Sequence, residues 1–93
     1  MTEQLQYIYY DSCIHTSNWM KYLALVRSNI IKKEYDKAYV YEVLAEEALN
    51  KIMECSSKAV EIESDFEIRD AAWNKAAKAY EEFRGEKVEK IVD

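Results

Sequence analysis

The chain has 93 residues, a net charge of −5 and 49% hydrophobic residues, with no proline and one glycine, Gly85. That size allows a single domain, and the missing residue types are those on which most turns and phosphate-cradling loops rely. No apolar run approaches the roughly 20 residues needed to cross a bilayer, so the composition predicts an all-α fold with tight connections and no membrane span.

The first third is the least regular. Leu5-Gln6-Tyr7-Ile8-Tyr9-Tyr10 has strand-like composition, but a lone strand would leave its backbone groups unpaired. Helix is the better reading, over residues 4–33, either continuous or broken near 15–17 with Ser17-Asn18 opening a second piece. Trp19, Leu23, Val26 and Ile30 are the expected inward positions of that piece. The N-terminus lacks the basic start and apolar stretch of a secretory leader, so a cytoplasmic protein is expected.

The middle of the chain is the clearest. Tyr41, Ala45, Ala48, Ile52, Cys55, Ala59, Ile62 and Phe66 follow spacings of four and three without a miss. This is a heptad seam on a helix over 36–63, and its small residues suit close approach of another helix. Such a helix is about 42 Å long, and only a continuous helix over 4–33, about 45 Å, would match it. A long antiparallel hairpin is therefore expected, completed by a third helix and gaining from dimerisation.

Ser64-Asp65-Phe66-Glu67 has the form of a capping box, which predicts a third helix over 65–84 with Ser64 as N-cap. Gly85 is the expected C-cap, leaving a tail over 86–93 whose apolar residues are Val88, Ile91 and Val92. Trp73-x-x-Ala76-Ala77-x-x-Tyr80 resembles the first helix of a tetratricopeptide repeat, and Tyr35-Asp36-Lys37-Ala38 resembles the start of its second helix. Neither segment has its companion at the repeat distance, so the resemblance covers under a fifth of the chain and implies no repeat array.

Chemistry-bearing residues are sparse. Asp11 and His15 stand i and i+4 on a helix, but Cys13 between them points elsewhere and there is no second histidine, so no metal site is expected. His15 belongs to no triad pattern, and Glu46-Glu47 and Glu81-Glu82 diverge as helical neighbours. No cofactor and no catalytic residue is expected. Cys13 and Cys55, far apart in sequence, read as buried apolar side chains in a reducing compartment, whether or not the fold brings them together.

What remains is surface. Tyr35, Tyr39 and Val43 recur every four residues opposite the heptad seam, so they either pack under the N-terminal segment, through Tyr7 and Tyr10, or face a protein partner. Residues 1–33 carry four basic and two acidic side chains. Lys21, Arg27, Lys32 and Lys33 are thus the candidates for a nucleic-acid contact, which the acidic remainder of the chain opposes. The expectation is a small non-enzymatic adaptor, regulator or inhibitor that binds an unidentified protein partner and self-associates. The alternatives are a nucleic-acid-linked regulator and a homo-oligomeric structural subunit. The lysine, glutamate, isoleucine and tyrosine bias suits a small viral or mobile-element protein.

Overall fold

The computed structural model describes residues 2–92, with side chains over 3–85. The fold is all-α, with α1 over Thr2–Ile31, α2 over Tyr35–Ile62 and α3 over Phe66–Val92. Helix α1 is continuous: no break occurs near 15–17, and the tyrosine-rich segment 5–10 is helical. The predicted end at 33 and the observed end at Ile31 differ because Lys32 and Lys33 form the turn.

Helix α1 is the hub. It packs against both other helices, whereas α2 and α3 barely touch beyond their short connection. Toward α2 it presents Leu5, Ile8, Ser12, His15, Trp19, Tyr22, Val26 and Asn29, all buried or half-buried and spaced by three and four. Three of these eight are polar, which hides the row from a hydrophobicity reading. Ser12 and Asn29 are nonetheless buried, and the Asn29 amide donates to the Leu25 carbonyl at 2.7 Å, as an interior polar group must.

The α2 seam runs through Ala38, Tyr41, Ala45, Ala48, Ile52, Cys55, Ala59 and Ile62, of which the four alanines are fully buried. Tyr22 stacks on Tyr41 at 6.3 Å between ring centroids, and Leu5 shares a buried cluster with Ala59 and, from α3, Ala72. Phe66 does not belong to this seam. It lies beyond the end of α2, opens α3 and is 69% exposed. The heptad count carries past Glu63, where the backbone turns extended and the period loses its meaning.

The turn between α1 and α2 is a Schellman motif. The Lys33 N–H donates to the Ile30 carbonyl at 3.0 Å, and the Glu34 N–H donates to the Asn29 carbonyl at 2.8 Å. Lys33 takes the left-handed conformation (φ 61°) that glycine normally supplies there. The predicted glycine cap is not used as one: α3 continues through Gly85 to Val92, and the glycine has no positive φ. The tail residues 86–92 are thus part of α3, while the docking of Val88, Ile91 and Val92 lies outside the described side chains.

Two substitutions follow from this misplacement. Lys33→Gly removes a left-handed strain of about 1–2 kcal/mol while adding freedom to the unfolded chain, for an expected net gain of about 0.5–1 kcal/mol. A Cβ at Gly85 would meet nothing within 4 Å, so Gly85→Ala is expected to stabilise by a similar amount through helix propensity. Urea denaturation of each variant checks both signs.

The start of α3 is capped by Asp65 rather than Ser64. Its Oδ1 accepts from the Glu67 N–H at 2.9 Å, and its carbonyl accepts from the Arg69 N–H at 3.1 Å. Asp65 stands two residues before Glu67, the usual reach of an aspartate cap, so the box is displaced by one. Arg69 closes the junction by donating from Nη1 to the Glu63 carbonyl at 2.8 Å, at the C-terminal end of α2 where a cation is favoured.

The packing leaves an open body. The radius of gyration is 16.0 Å, against about 12 Å for a compact domain of this length. Leu5 is the only large side chain fully buried among the described residues. The three helices converge on the Leu5–Ala59–Ala72 cluster, with Ile8, Tyr9 and Ile62 packed around it.

Candidate functional site

Tyr35 and Tyr39 are 62% and 67% exposed, and Val43 is also exposed, on the side of α2 away from its seam. The N-terminal tyrosines do not cover them. Tyr7 and Tyr10 meet edge to face at 6.2 Å on α1, near the helix junction at the far end of the molecule. Tyr9, the third of that group, meets Trp73 of α3 edge to face at 5.4 Å. Tyr9 is also drawn out of water, and its phenol is pushed above the usual range chiefly by that burial. The aromatic residues of the sequence thus divide: Tyr9, Tyr22 and Tyr41 hold helices together, and Tyr35 and Tyr39 face solvent.

The basic residues form no stripe. Lys21 and Arg27 are six positions apart on α1, so they point about 120° from one another. The Lys21 ammonium lies 5.1 Å from the Tyr22 ring centre, and Lys33 is in the turn with Lys32. The one ion pair among the described residues joins Lys37 and Glu34 at 3.5 Å in the first turn of α2.

Asp11 is exposed, while His15 is half-buried against Tyr22, Leu44 and Lys51 in a cleft of about 100 Å³ between α1 and α2. No three His, Cys, Asp or Glu side chains come together among the described residues. The two cysteines are free. Cys13 belongs to the α1–α3 groove, whereas Cys55 belongs to the α2 seam. Burial pushes both thiols up, aided at Cys13 by the Glu81 carboxylate and at Cys55 by Asp11.

A feature that the sequence reading missed is a groove of about 410 Å³ between α1 and α3. Thr16 and Met20 line it from α1, with Trp73, Tyr80, Glu81 and Arg84 on α3. Arg84 donates to Ser17 Oγ at 3.2 Å and to the Tyr80 hydroxyl at 3.3 Å, bridging the two helices at the groove. The signal was present in Tyr9, Cys13, Thr16, Met20, Leu23, Arg27 and Ile30, a second row on α1 at spacings of four and three. Cysteine, threonine and arginine interrupt its hydrophobicity.

No described helix is long and apolar enough to cross a membrane. Comparison with known proteins gives no match: no family model fits the chain, and no curated protein or solved structure is similar to it at a significant level.

Proposed function

We propose that this chain is a small non-enzymatic protein-binding adaptor, regulator or inhibitor acting in the cytoplasm. In this reading α1 and α2 form an antiparallel hairpin, α3 buttresses one side of it, and α2 presents Tyr35, Tyr39 and Val43 to a protein partner. The observation that carries the reading is the exposure of both tyrosines on a helix whose opposite face is already packed. Tyrosine supplies large, rigid contact area with a polar tip and is enriched where proteins bind one another. The contacts of Leu5 with Ala59 and of Tyr22 with Tyr41 support the hairpin, because positions early in α1 meet positions late in α2.

The test compares the native chain with Tyr39→Glu as baits in nuclease-treated lysate of the host. One dominant protein is expected with the native bait, and at least ~10-fold weaker binding with the variant, as for an interface hot spot. Equal helicity of the two baits by circular dichroism shows that the fold is intact. A partner retained equally by both removes the tyrosine face from the assignment.

A further inference from the structure

Helix α2 carries a second heptad row beside its packed seam. Tyr35, Tyr39, Glu42, Glu46, Leu49 and Met53 follow spacings of four and three without a miss, and all six are exposed. The row is turned about 100° from the seam and is about 27 Å long. Helix α3 stays clear of it. Tyr22 of α1 stacks on Tyr41, so residues 17–22 of α1 stand level with the middle of the row. At that level Arg84 of α3 holds Ser17, which is two residues from Trp19 and so about 160° around α1 from the side that meets α2. Helix α1 therefore stands between α3 and the second row of α2.

The order of residues along the row selects its occupant. Two tyrosines lie at one end, Leu49 and Met53 at the other, and Glu42 and Glu46 between them. The two glutamates are one turn apart, where like charges repel, and neither makes an ion pair among the described residues. The lysines of α2 lie outside the row, and Lys51 lines the His15 cleft on the α1 side. A surface that is apolar at both ends and anionic in the middle is complemented by a partner that is cationic in the middle and apolar at both ends.

We propose that the protein partner covers this row with a basic amphipathic helix, whose own heptad positions carry two arginines or lysines between apolar pairs. A helix matches the spacing along the whole length. Arginine suits the centre best, because its guanidinium grips a carboxylate through two N–H groups and stacks on tyrosine. The same order argues against other occupants. The row is symmetric about Leu44, so a second copy laid antiparallel would set Glu42 opposite the partner's Glu46, and a parallel copy would set each glutamate on its twin. Nucleic acid and anionic lipid headgroups meet the same repulsion. The basic helix presupposes the tyrosine contact proposed above, and the experiment separates the two.

Two synthetic helical peptides probe the row on the full chain. One carries leucine, leucine, arginine, arginine, leucine and leucine at spacings of four, three, four, three and four; its twin has glutamine for both arginines. That order reads the same in both directions, so one peptide tests both orientations. Fluorescence anisotropy is expected to show the arginine peptide bound at least ~10-fold more tightly than its twin, with affinity falling as salt rises. Glu42→Gln with Glu46→Gln is expected to remove that preference, and Tyr39→Ala to weaken both peptides by ~10-fold. These variants change exposed side chains, and circular dichroism checks that their helicity is kept. An arginine peptide that fails to bind at millimolar concentration, or binds no better than its twin, overturns the basic helix. So does unchanged binding to the glutamine pair. If the protein retained from lysate is lost with Tyr39→Glu but kept in full by the glutamine pair, the tyrosine contact stands and its basic partner falls. Retention by both variants removes both.

Discussion

Leu5→Ala is expected to lower stability by about 2–5 kcal/mol, the usual cost of emptying a buried leucine site. The whole chain has only about 5–14 kcal/mol to lose, from the ordinary range per residue. Leu5 is 1% exposed and sits where all three helices meet, between Ala59 of α2 and Ala72 of α3. Its two buried neighbours are alanines, which have no longer side chain to swing into the space, so only Ile8, Tyr9 and Ile62 around them can narrow the cavity. Urea denaturation measures the effect as a fall in midpoint at nearly constant slope. A loss under about 1 kcal/mol would mean that the junction is not where the stability resides.

Ala76→Leu is expected to release α3 from α1 while α1 and α2 remain paired. Ala76 is 0% exposed, with Ala72 one turn earlier at 3%, and both face α1. Small residues at this spacing let the helix axes come close, and a leucine there needs room that only separation provides. Overpacking of this kind costs about 1–3 kcal/mol, and α2 offers α3 little compensating contact. The two tryptophans report the two interfaces separately. With Trp19→Phe, the emission of Trp73 is expected to shift to the red in the Ala76→Leu variant, because its edge contact with Tyr9 is lost. With Trp73→Phe, the emission of Trp19 is expected to stay unchanged. Ala71→Leu, one residue before the buried Ala72 but exposed, is the matched control and should do nothing.

The α2 seam was legible in the sequence because every one of its members from Tyr41 to Ile62 is apolar or small, so spacing and hydrophobicity agree. The α1 seam has the same spacing, but Ser12, His15 and Asn29 occupy heptad positions. A polar side chain can sit inside when the backbone satisfies it, as the Leu25 carbonyl does for Asn29. Hydropathy carries no trace of that compensation. Leu23 and Ile30 were read as inward with Trp19 and Val26, yet they belong to the other row and are exposed. Local backbone signals misled in a similar way. Gly85 looked like a cap because glycine tolerates positive φ, but tolerance is not demand, and Lys33 meets the demand at a strain. Ser64 lost the cap to Asp65, whose carboxylate reaches the Glu67 N–H. The tyrosine face followed from spacing on α2, whereas the groove required knowing which side of α1 received α3.

The hub is also made before either helix that docks on it. As α1 leaves the ribosome it carries two unsatisfied rows, and neither docking helix yet exists. At synthesis rates of ~5–20 residues per second, completing α2 takes roughly 2–6 s more, a long wait beside the microseconds in which helices form.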